Sequence, residues 1–165
     1  MLISKKMEEA LIKHMNAEFE SWYIYLAMSA WAEERNFLGF AKWLKIQAEE
    51  EMEHAMKFFE YLHEVGAKAD LMQIPAIAKD WKNFVEVFEK VLNHEMKITN
   101  AINQLYNHAI EEKDHATKNF LDWFVKEQVE EVAQSSLALE KVKLAGENVQ
   151  ALLFLDAQFG QRAKD

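Results

Sequence analysis

The sequence predicts an all-α fold: a four-helix bundle with one long crossover and a short C-terminal fifth helix. Three observations carry this. Apolar residues recur at alternating steps of three and four over four long segments, the spacing of one helix face. Breakers are scarce, with four Gly and one Pro in 165 residues, too few for the many tight turns of an all-β chain. Two of the breaks between long segments are short enough for antiparallel hairpins, while the stretch from Ala67 to Lys79 is long enough to run the length of a bundle. Hydrophobic residues at 50% and aromatics at 12% supply the core of a single domain covering residues 1–165.

The elements follow in order. The first helix, about 4–34, presents Leu11, Met15, Glu18, Trp22, Tyr25, Ser29 and Ala32 along its inward seam and stops at Glu34-Arg35-Asn36-Phe37. The second, about 37–65, presents Leu44, Ala48, Glu51, Ala55, Phe58 and Leu62, and Gly66 suits a left-handed cap after it. Pro75 lies in the non-helical crossover. Asp80 is the expected N-cap of a third helix over about 81–109, with Phe88, Val91, Glu95, Ile98 and Ile102 in its seam. Asp114 caps a fourth over about 114–145, with Leu121, Phe124, Gln128, Glu131, Ser135 and Ala138, closed by Gly146. A fifth, about 148–159, carries the apolar strip Leu152, Leu153, Phe154, Leu155 and Phe159. That strip is too apolar to be left in water and points to assembly with further copies.

Composition removes several function classes. Acidic residues outnumber basic ones 28 to 19, a net charge of −9, and no run of Lys or Arg interrupts this, so cations rather than nucleic acids are the expected partners. Without cysteine the chain has no disulfide, thiolate metal site or thiol nucleophile. The longest apolar run, Trp22 to Met28, is far too short to span a bilayer, and the first residues form no signal-type apolar block. No membrane association and a cytoplasmic location are expected.

Each of the four seams contains an acidic residue near its middle. Glu18, Glu51, Glu95 and Gln128 each lie about 14 residues into their helix, roughly 20 Å along it. Antiparallel helices of equal length bring such positions to one level. His54 follows Glu51 by three residues and Glu131 follows Gln128 by three, so each pair shares a face. An unpaired buried carboxylate costs several kcal/mol, and no Lys or Arg stands in the seams to neutralise four of them. A bound cation reconciles the cluster with a stable core. Oxygen ligands with one imidazole suit iron or manganese, and several carboxylates able to bridge suggest two metals close together.

At these residues the chain resembles the ferritins, specifically the haem-free prokaryotic type. The similarity runs nearly end to end, through Asn16-Ala17-Glu18 with Tyr25 seven residues on, Glu50-Glu51-Met52-Glu53-His54-Ala55, His94-Glu95, Asp114-His115-Ala116-Thr117, Asn119-Phe120-Leu121-Asp122-Trp123-Phe124 and Glu127-Gln128-Val129-Glu130-Glu131. The resemblance implies that Glu18, Glu51 and His54 hold a first iron. Glu51 would bridge to a second, held also by Glu95 and Glu131 with Gln128 alongside. Glu50, Glu127, Glu130 and Glu131 match a third iron site, and Tyr25 matches a tyrosine beside the centre that donates an electron or a hydrogen bond. The implied activity is oxidation of ferrous iron by O2 or H2O2, with ferric oxide stored in a shell of about 24 subunits; Glu53 is a candidate for binding the first ferric ions inside it.

Two departures from related types qualify this. Haem-bearing bacterioferritins repeat Glu-x-x-His on the fourth helix, whereas Gln128-Val129-Glu130-Glu131 stands here, so no haem is expected although Met52 matches their haem-ligand methionine. Lys118 and Leu121 fall at the positions of the acidic pair that lines the three-fold channel in animal ferritins, which argues against an acidic entrance for iron. The alternatives are a haem-bearing bacterioferritin and a non-catalytic subunit that only holds mineral.

Overall fold

The computed structural model describes residues 1–164. They form α1 (Lys5–Glu34), α2 (Leu38–Glu64), α3 (Phe84–Glu111), α4 (His115–Ala145) and α5 (Val149–Phe159), with no strand among the described residues. The α1–α2 and α3–α4 hairpins pack most extensively, α1 meets α3, and α5 lies against α2 and α4. No helix is long and apolar enough to cross a membrane.

Side-chain caps set four of the five starts. Ser4, Asn83, Asp114 and Asn148 each accept a hydrogen bond from the backbone N–H three residues on, satisfying a donor that the helix itself leaves unpaired. The third helix therefore begins at Phe84, not near residue 81, and Asn83 caps it in place of Asp80. Asp80 serves the crossover instead: it accepts from Trp31 Nε1 at 2.6 Å and pairs with Arg35 at 3.1 Å. Gly66 and Gly146 have the positive φ expected of them, while the other two breaks place Asn36 and Lys113 there, at φ 62° and 56°. Asn tolerates this conformation, whereas Lys gives up about 1 kcal/mol to it.

Residues 65–83 cross the bundle without regular structure because α1 supplies their partners. Asn16 accepts from Met72 N–H and donates to the Asp70 carbonyl, and Glu8 accepts from Lys68 N–H. Backbone groups that no ladder satisfies are met by side chains instead.

The apolar core is split in two. One half gathers Tyr25, Trp31, Phe40, Trp43, Phe84 and Phe88 near the α5 end. The other gathers Met7, Leu11, Met15, Phe58, Leu62, Ile102 and Phe124 near the opposite end. The polar level lies between them.

The strip on α5 is divided between the bundle and the surface. Leu155 and Phe159 are buried, Phe159 with ring contacts to Phe40 at 4.9 Å and Phe88 at 5.5 Å, while Leu153 and Phe154 remain 54% and 65% exposed. Docking depends on Gly39, over which the α5 backbone passes so closely that a Cβ would lie 1.7 Å from the Asp156 carbonyl oxygen. Asp156 also accepts from Phe40 N–H at 2.9 Å. Gly39→Ala is thus expected to push α5 off the bundle at a cost of about 3 kcal/mol. Chemical denaturation would register the loss, and stability equal to that of the unaltered chain would refute this contact.

Candidate metal centre

Four helices contribute to the level between the two half-cores. Glu18 and Tyr25 come from α1, Glu51 and His54 from α2, Glu95 from α3, and Gln128 and Glu131 from α4; all are buried. Glu51 and His54, three apart, stand on one face of α2, as do Gln128 and Glu131 on α4. The side chains of Glu18, Glu51 and His54 each offer one atom within 4.8 Å of the others. Glu51, Glu95 and Glu131 meet the same condition. The two triads share Glu51, so two cations bound side by side would have one carboxylate in common.

Hydrogen bonds hold the cluster in place. Tyr25 donates to Glu95 Oε1 at 2.5 Å, and Gln128 turns its amide nitrogen toward Glu95 Oε2 at 3.3 Å and Thr99 Oγ1 at 3.0 Å. Gln128 thus acts as a donor here. Gln47 was not legible as a site residue, yet its amide donates to Glu131 at 2.5 Å and reaches Glu95 at 3.3 Å and Glu51 at 3.5 Å. Its only signal was a position one turn before Glu51. His94 was also missed. It bonds Ser21 Oγ at 2.6 Å and meets Tyr25 edge-on, 5.5 Å between centroids; burial keeps its pKa below the usual imidazole range.

The cation that the seams lack arrives in part from the C-terminal tail. Arg162 lies over the Trp43 ring at 4.3 Å and bonds Glu50 at 2.7 Å and Gln134 at 3.2 Å. Of the residues matched to a third iron site, Glu50 is therefore turned to a guanidinium and Glu130 is exposed. Glu127 falls instead with His54 and Glu131, ligand atoms again within 4.8 Å of one another. Glu53 is exposed and pairs with Lys164 at 2.5 Å. Met52 is half-buried, and Lys118 pairs with Asp122 at 3.7 Å. Leu121 is wholly buried in the core, so its side chain lines no channel.

Charge is unevenly tolerated across the cluster. Burial, then the Glu95, Glu18 and Glu131 carboxylates, hold the Glu51 pKa well above the ordinary range. Burial and Glu95 push Glu131 up to about 9, against partial relief from the Gln47 hydrogen bond and Arg162. Tyr25 is raised too, by burial and by the carboxylates around it. Burial also opposes ionising Glu18, but the charge and hydrogen bond of His14, with the more distant His54, bring it down to about 2. Glu18 Oε2 and Gln47 Oε1 are buried without a hydrogen-bond partner. A core that keeps carboxyl groups protonated, with acceptor oxygens left over, fits cations that would displace those protons.

These shifts fix the pH dependence of the metal-free fold. Glu51 and Glu131 are raised in the folded chain, so it binds more protons than the unfolded chain between the ordinary carboxylate value of 4.5 and about 9. Stability then falls as pH rises through that window. Glu18 works the other way, its contribution being lost as pH falls from 4.5 toward 2. The metal-free protein should accordingly melt several degrees lower at pH 9 than at pH 5. Glu131→Gln, which removes one titrating group, should flatten that slope in thermal unfolding, and an unchanged slope would contradict the assignment.

Comparison with known proteins bears on this geometry. Residues 8–145 match the ferritin family model, described as a ferritin-like domain. The chain is 41% identical over 159 residues to a probable bacterial non-heme ferritin-like protein of Haemophilus influenzae, covering 96% of each. It is 39% identical to a bacterial non-heme ferritin of Bacteroides fragilis, covering 98% of this chain and all of that one. An open pore ferritin from the hyperthermophilic archaeon Archaeoglobus fulgidus superposes with a TM-score of 0.95 at 42% identity, covering 98% and 99% of the two chains. Sequence and backbone agree nearly end to end: the chain belongs to the ferritin family, among its haem-free prokaryotic members.

Proposed function

We propose that the chain is an iron-storing ferroxidase. The observation that carries this reading is the pair of buried ligand triads sharing Glu51 at mid-height of the bundle. Ferrous iron is the substrate. Glu18, Glu51 and His54 bind the first ion, and Glu51, Glu95 and Glu131 the second. Two ferrous ions give up one electron each, which matches the two-electron reduction of O2 to H2O2 or of H2O2 to water. The carboxylates favour the harder ferric product, and Glu51 shifts between terminal and bridging modes as charge accumulates. Binding displaces protons from Glu51 and Glu131, whose raised pKa values make them acids in the metal-free core. Tyr25 steadies Glu95 by its hydrogen bond and stands close enough to the centre to serve as a one-electron donor. The intact ligand set favours this over a subunit that only holds mineral.

A third, weaker iron position involves Glu127 and Glu130 with Glu50 and Glu131. Support for it comes from Glu127 lying near Glu131 and His54. Occupying Glu50 requires the ion to displace Arg162. Stopped-flow oxidation with two ferrous ions per chain tests the paired site, and uptake of further ferrous additions tests the third. Replacing Glu51 and His54 together by Ala should abolish the rapid phase while circular dichroism stays helical. Glu127→Gln with Glu130→Gln should keep the first burst and change later uptake and stoichiometry. A full-rate burst from the first double variant would overturn the paired site, and wild-type uptake by the second would overturn the third.

Storage needs an enclosure, and we infer a closed homo-oligomeric shell of about 24 subunits. Its support is the family relationship together with exposed apolar residues on α4 and α5: Leu144 at 90%, Phe154 at 65% and Leu153 at 54% exposure, too many for helices left in water. Light scattering at micromolar concentration should report a particle of that size; a stable monomer or lone dimer would overturn it.

A further inference from the structure

His14 plays no part in the ligand set above, yet it is buried one helical turn before Glu18 on α1. Its Nε2 lies 2.8 Å from Glu18 Oε1, and its ring tilts against Phe58 with 4.8 Å between centroids. On its other side a cavity of about 280 Å³ opens between α1 and α3, walled by Ala10, Ala17, Ala101, Gln104 and His108. Packing thus fixes the ring from one side and leaves room beside it.

An ionised carboxylate only accepts hydrogen bonds, so this contact requires the proton on Nε2. The bond occupies one oxygen of Glu18. The other, Oε2, is buried without a hydrogen-bond partner although Glu18 has ligand atoms in common range with Glu51 and His54. Held at Oε1, the carboxylate cannot rotate to satisfy Oε2 elsewhere; its remaining neighbour is the Glu51 carboxyl, whose proton a cation shared by the two would displace.

Resting on the ferroxidase reading, we propose that His14 is a positioning residue for the first cation: its Nε2–H locks Glu18 Oε1 and so presents Oε2 to the metal shared with Glu51 and His54. His14 itself touches no metal. Outer-shell partners of this kind typically change metal affinity by about 10–100-fold. The effect should fall on the first position and spare the second, whose ligands Glu95 and Glu131 are held by Tyr25 and Gln47.

The assembled protein can be titrated with Co2+, which is not oxidised under these conditions and whose visible absorption reports its coordination. The unaltered chain should bind two Co2+ per subunit. His14→Phe keeps a ring against Phe58 but has no donor; it should weaken the first Co2+ about 10–100-fold and alter that ion's absorption, with the second unchanged. His14→Gln restores an N–H within reach of Glu18 and should recover affinity to within about threefold. Should His14→Phe not assemble, His14→Asn fits the space, is too short to bond Glu18, and should show the same loss. First-site affinity and spectrum unchanged in the donor-less variant, or a His14→Gln variant as weak as it, would overturn the role of His14. An unaltered chain that binds fewer than two Co2+ would overturn the paired site itself.

Discussion

Carboxylates that must share a dry core are the constraint around which this structure is arranged. Glu18, Glu51, Glu95 and Glu131 converge from four helices at one depth, each at most 3% exposed. Ionised together they would repel at close range in a medium of low dielectric, and each would also lose its hydration. The metal-free fold meets this by keeping Glu51 and Glu131 protonated and placing donors among the rest. Gln47, Tyr25, Gln128 and His14 each direct an N–H or O–H at a particular carboxylate oxygen.

The same constraint explains why the bundle has two half-cores. Aromatic-rich packing near α5 and mixed aliphatic and aromatic packing near the opposite end stabilise the chain on either side of a layer that does not stabilise it. A layer tuned to accept cations is a weak point when empty, so the surrounding segments are firmly anchored. The crossover is tied to α1 through Asn16, Glu8 and Trp31, and α5 is seated over Gly39 by Asp156 and Phe159. These contacts hold the four helices in the register on which the convergence of ligands depends.

The C-terminal tail adds a feature that links stability to the site. Arg162 and Lys164 lie along the acidic face of α2, pairing with Glu50 and with Glu49 and Glu53. Arg162 is largely buried and stacked on Trp43, a setting where a guanidinium ion pair gains geometric definition. Its charge also lowers the pKa of Glu131 against the stronger upward push of burial. The tail thus tempers the negative charge beside the paired site.

Local pattern carried the helices and the ligand types. Three-and-four periodicity marked the long segments, Gly66 and Gly146 marked their ends, and the matched depth of Glu18, Glu51, Glu95 and Gln128 marked the level at which they meet. These depend on residues close in sequence, so the chain alone determines them. The burial of Leu155 and Phe159, the donor role of Gln47 and the reach of Arg162 to Glu50 were decided by tertiary structure. Whether a seam-flanking side chain turns inward depends on the helix packed against it, and Arg162 meets Glu50 across 112 positions of sequence. No local periodicity encodes such contacts; only the packed bundle brings the groups within bonding distance.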